Sequence, residues 1–166
     1  MKHHMFAAGL ALAVSTVLSV AGPAAAGEQV PFHGHFAGIA TLTGGPEIVH
    51  VEVDATGNAT HLGSITLAIP HDVDRTTSPW TSTGSYEFVA ANGDTLSATF
   101  TGQVTPSGTP GVLSAVEIAT ITSGTGRFAG ATGGFNIERL VATATVPRTT
   151  AGSFRGTISS PGAAKK

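Results

Sequence analysis

Glu117 and Arg139 are the residues with the most chemistry to offer. Glu117 shares a strand face with Leu113, Ala115, Ala119 and Ile121, and Arg139 shares one with Phe135, Ile137 and Val141. Alternate residues of a strand point the same way, so each charge stands in an apolar stripe. An ionised pair in such surroundings has to be paired and hydrogen-bonded to be tolerated. It can fill an interior as a structural pair, or Arg139 can receive a ligand carboxylate while Glu117 exchanges a proton. Tyr86 and Phe135, also on apolar faces, complete the candidate ligand-binding set of Glu117, Arg139, Tyr86 and Phe135. No residue is assigned a catalytic role.

Other constellations are weaker. His33 and His35 project from one strand face, with His50 and Glu52 on the next candidate strand, and imidazoles at this spacing can chelate a metal. No third ligand is set by spacing, and a polar outward stripe accounts for the same residues, so no metal is assigned. His71, Asp72 and Asp74 lack the dense carboxylate pattern of a calcium loop. No serine stands in a nucleophile-elbow context. The glycine-rich segment at 122–134 lacks Gly-Lys-Ser/Thr and opens onto a strand, so it is no phosphate loop. No cofactor is implied. With no cysteine in the chain, disulfides, thiolate ligands and a cysteine nucleophile are excluded together.

These side chains have to be positioned by strands. Charged residues make up 11% of the chain, glycines number 22, and Thr, Val and Ile recur, a composition suited to pleated strands and tight turns. Period-two alternation predicts strands over 32–41, 48–54, 60–69, 84–90, 94–104, 112–121, 135–144 and 150–159. Residues 55–58 read as a turn and 71–83 as a long polar loop carrying Trp80. Asn92-Gly93 is a strong hairpin signal, because both positions accept positive φ. Phe128 is expected to plug the core from within the glycine-rich segment. Eight consecutive hairpin-connected strands predict an all-β fold, an eight-stranded antiparallel closed β-barrel, with a two-sheet sandwich as the alternative.

The N-terminal segment carries a different message. Lys2 precedes an apolar run from Met5 to Ala21, and Ala24 and Ala26 give the small-x-small pattern of a signal-peptidase site. The expected organisation is a helical signal peptide at 1–26 cleaved before Gly27, a barrel domain at 27–160 and a disordered tail at 161–166. The mature protein is then expected to be exported, periplasmic or extracellular, with no membrane attachment after cleavage. A formal net charge of −2 and scattered basic residues argue against nucleic acid as a partner.

The segment Ile121-Thr-Ser-Gly-Thr-Gly-Arg-Phe-Ala-Gly-Ala-Thr-Gly133 resembles the glycine-rich turn of the allene oxide cyclase and dirigent barrel superfamily. Residues 57–63 and 84–94 are similar to segments of uncharacterised secreted bacterial members of that group. The resemblance implies an eight-stranded barrel with a hydrophobic lumen, often assembled as a homotrimer. In the plant cyclases the lumen converts a fatty-acid epoxide, and dirigent proteins steer the coupling of phenoxy radicals. The polar lumen residues of those proteins have no counterpart placed by motif on this chain, so the scaffold alone carries over. Three readings stay open: a barrel binding a small apolar or amphipathic ligand in its lumen, an allene oxide cyclase-like isomerase, and a non-enzymatic interaction protein whose barrel is plugged.

Overall fold

The computed structural model describes residues 27–159 and 161–162, so the signal peptide expected at 1–26 lies outside the described residues. Nine strands follow one another: β1 (Gln29–Gly44), β2 (Ile48–Ala59), β3 (Gly63–Ala68), β4 (His71–Asp74), β5 (Trp80–Ala90), β6 (Thr95–Pro106), β7 (Val112–Gly124), β8 (Gly133–Ala142) and β9 (Arg148–Ser159). A single 3-10 turn, Gly126–Phe128, interrupts the glycine-rich segment.

All pairings are antiparallel, and each strand pairs with its neighbours in sequence except β3 and β4, which do not pair with each other. β1 pairs with β2 along one edge and with β9 along the other, which closes the sheet on itself. Closure leaves no open edge and excludes the sandwich. The nine segments fill eight positions around the barrel, because β3 and β4 share one. Both lie between β2 and β5, β3 against Asp54 to Ala59 and β4 against Ile48 to Val51. Pro70 separates them, since it has no N–H to give the ladder. The backbone nevertheless continues through the break: Ile69 N donates to Val53 O at 2.9 Å and Ser85 N donates to Pro70 O at 3.1 Å.

Two local expectations are corrected here. Residues 55–58 are strand rather than turn, with Gly57 paired to both Phe36 and Ile65. The reversal comes a few residues later, where His61 takes a left-handed φ of 68° and Leu62 folds into the core. The loop expected at 71–83 shrinks to residues 75–79, since β4 and the start of β5 occupy its two ends. The Asn92-Gly93 hairpin forms as expected, with Gly93 at φ 85°.

The interior has two unlike halves. At the end where β1 begins, phenyl rings fill the bore. Phe32 contacts Phe154, Phe135 and Phe88 with ring centroids 5.0, 5.4 and 6.1 Å apart, mostly edge to face. Such pairs add roughly 0.5–1.5 kcal/mol each beyond their buried area. Phe128 is buried among this half, held by the glycine-rich turn, whose Asp94–Arg127 pair fixes it to the β5–β6 hairpin. Asp94 accepts from the Arg127 backbone N–H at 3.0 Å, which holds its carboxyl below the ordinary range. Past the turn, Gly162 N donates to Arg127 O at 2.8 Å. The other half of the bore is built from smaller side chains and contains the charged residues.

Candidate functional site

Glu117 on β7 and Arg139 on β8 both point inward, with 0% and 4% of their surfaces exposed. Two glycines on the flanking strands make room for them. A carbon added at Gly102, which pairs with Glu117 from β6, would stand 2.5 Å from Glu117 Cγ. One added at Gly152, which pairs with Arg139 from β9, would stand 2.6 Å from Arg139 Cβ. The two long side chains therefore lie across positions of the neighbouring strands that carry no side chain.

The pair is closely bonded. Arg139 donates from Nη2 and Nε to Glu117 Oε1 at 2.8 and 3.1 Å. The Tyr86 hydroxyl donates to Glu117 Oε2, so both carboxylate oxygens have partners. Burial pushes the Tyr86 phenol well above its ordinary pKa, and the adjacent Glu117 charge pushes the same way. Burial alone would lower the Arg139 pKa; Glu117 and Tyr86 more than offset this and hold it above the ordinary value.

A fourth member is His71 on β4, 7% exposed. Its Nε2 lies 3.0 Å from Arg139 Nη2, and its Nδ1 lies 2.9 Å from Ile69 O. Burial, and then the Arg139 charge, lower its pKa to about 4. The imidazole is thus neutral at neutral pH, and one tautomer satisfies both contacts: Nδ1–H donates to Ile69 O while Nε2 accepts from Arg139. Ser82 Oγ, shielded nearby on β5, has no hydrogen-bond partner among the described residues. Sequence reading missed His71 because it was placed in the long loop. The signal was there: Ile65, Leu67, Ile69, His71 and Val73 are all buried, an unbroken period-two stripe that runs through Pro70.

Above this network the bore opens as a funnel of about 50 Å³ at the end where β4 finishes and β5 begins. Its floor includes Arg139 and His71, its walls are Val49, Val51, Val73 and Val104, and Trp80 and Arg75 stand at the rim. The Arg75 guanidinium lies over the Trp80 ring, 4.9 Å from its centroid. Of the four candidate ligand-binding residues, Arg139 alone lines the funnel. Glu117 and Tyr86 are bonded to each other away from it, and Phe135 packs in the aromatic half, 5.3 Å from the Phe154 ring. His33 and His35 face outward and are exposed. Among the described residues no three His, Cys, Asp or Glu side chains gather as a metal site.

No protein-family model and no curated protein matches the chain. Among solved structures, a pterocarpan synthase dirigent protein aligns over 89% of this chain and 98% of its own, at 12% identity and a TM-score of 0.48.

Proposed function

We propose that this protein is a binding protein that takes part of a small amphipathic molecule into the open end of its barrel. The observation that carries the reading is the funnel itself, an apolar-walled recess ending on Arg139 and His71. Recesses of mostly apolar lining with a few convergent polar groups are where small molecules bind. The phenyl-packed half of the bore would serve a purely structural barrel equally well. The open half differs in leaving a recess above the Arg139–Glu117 pair that no side chain fills.

The same geometry argues against the cyclase reading. Glu117 and Tyr86 are fully buried and bonded to each other, with Glu117 also holding Arg139, and His71 at the funnel floor has both ring nitrogens engaged by Ile69 O and Arg139. An acid–base residue has to reach the proton it moves, directly or through one water.

Trp80 makes the reading testable, because it is the one tryptophan of the chain and lines the funnel. Titrating the protein with short fatty acids, aliphatic alcohols and simple phenols is expected to change Trp80 fluorescence saturably for at least one class. A flat response across all three would remove the binding reading.

A further inference from the structure

We propose that the funnel is the head-group half of a longer site. An amphipathic anion enters head first, its charge received by Arg75 above the Arg139 floor, and its apolar tail leaves over the rim through a groove beside Trp80. This rests on the binding reading above and names the class of ligand.

Size is the first argument. A water molecule's share of liquid volume is about 30 Å³, so a cavity of about 50 Å³ admits a compact head and little more. Any tail has to go elsewhere. A second cavity of about 450 Å³, lined by Pro79, Pro106 and Thr105 among others, adjoins the funnel. Trp80, Val104 and Leu113 line both. These three residues form a shared wall, and the groove beyond it is largely apolar.

Charge is the second argument. No aspartate or glutamate lines the funnel, whereas two guanidinium groups do. The Arg139 charge is matched by Glu117, with Nε and Nη2 bonded to Glu117 and Nη2 also to His71, so Arg139 forms a fixed cationic floor and Arg75 at the rim is the guanidinium left for a ligand. Arg75 has no carboxylate partner among the described residues, and its Nε is shielded from solvent without a hydrogen bond. Arg75 thus brings a guanidinium without an ion-pair partner to the mouth, over Trp80, where a carboxylate can form charge-assisted bonds that an alcohol cannot match. An ammonium head would be repelled.

Isothermal titration calorimetry on the purified protein, with butanoate, hexanoate and octanoate against the alcohols and alkylammonium ions of equal length, tests this. The carboxylates are expected to bind at least about tenfold more tightly than the alcohols, a difference of about 1.4 kcal/mol. The ammonium ions are expected not to bind. Affinity should rise by about fourfold per methylene as the tail fills the groove, from about 0.8 kcal/mol per buried methylene. Arg75→Gln should weaken the carboxylates about tenfold more than it weakens hexanol, so that the preference for hexanoate over hexanol largely disappears. Equal binding of hexanoate and hexanol to the unmodified protein would overturn the anion assignment while the binding reading stood. Carboxylate affinity independent of chain length would overturn the rim groove. Heat from none of the probes would remove both readings together.

Discussion

Replacing Glu117 with Gln is expected to lower the free energy of unfolding by about 3 kcal/mol or more at pH 7, measured by urea denaturation. The substitution keeps the shape and one acceptor oxygen, so the bonds from Arg139 and Tyr86 can partly re-form. It removes the negative charge, and Arg139 is left as a buried cation with nothing to balance it. The general cost of breaking a buried pair from one side is about 3–5 kcal/mol, because the surviving charge keeps its desolvation penalty. Gln should fall at the lower end of that range. Arg139→Met made on top of Glu117→Gln removes the stranded cation, so the double variant should be no less stable than Glu117→Gln alone. Strictly additive losses would mean that the two side chains are not energetically coupled.

Acid is the second large lever, and His71 sets its window. In the unfolded chain the imidazole titrates near 6.5, whereas in the barrel its pKa is lowered to about 4. Between those values the unfolded state binds a proton that the folded state refuses, so stability falls as the pH falls from 7 to 4. The slope approaches about 1.4 kcal/mol per pH unit and the full loss is about 3 kcal/mol. Arg139 opposes protonation, whereas Glu117, Asp72 and the Ile69 carbonyl favour it without prevailing over burial. Asp74 and Asp94, whose carboxyls lie below their ordinary values, lose their contribution only as the pH falls through the carboxylate range. The loss between pH 6.5 and 4.5 therefore belongs to His71. His71→Gln, which still offers Arg139 an acceptor oxygen, should flatten urea midpoints across that interval; an unchanged slope in this variant would assign the acid sensitivity to other groups.

Much of this was legible from residue order, for a simple reason. Side chains alternate strictly along a strand, so Glu117 among Leu113, Ala115, Ala119 and Ile121 could point only where they point. The same logic placed Arg139 inside and His33 and His35 outside. What was lost was lost at backbone exceptions. Pro70 breaks the hydrogen-bond ladder without changing the phase of the alternation, and taking it as the end of the strand hid His71. Gly57 looked like a turn residue because glycine so often is one, yet here it sits in β2, where an added carbon would stand 2.0 Å from His35 O. The funnel was not legible at all. It depends on Trp80 and Arg75 meeting Leu113, Val104 and Val141 at one rim, and only the register of strands far apart in sequence decides that. Phe135 and Tyr86 were correctly read as inward, but alternation says nothing of depth along the bore.

The most direct measurement is a nitrogen-edited spectrum of the arginine and tryptophan side chains during titration with hexanol and then hexanoate. If a small molecule enters the funnel as far as its floor, the Nε–H signals of Arg139 and Arg75 and the indole N–H of Trp80 should move together and saturate at one ligand concentration. Arg148 and Arg155, which do not line the funnel, should stay where they are. Movement of Arg148 or Arg155 with Arg139 unmoved would place any binding on the barrel's outer surface, and the funnel would then be a packing defect rather than a site.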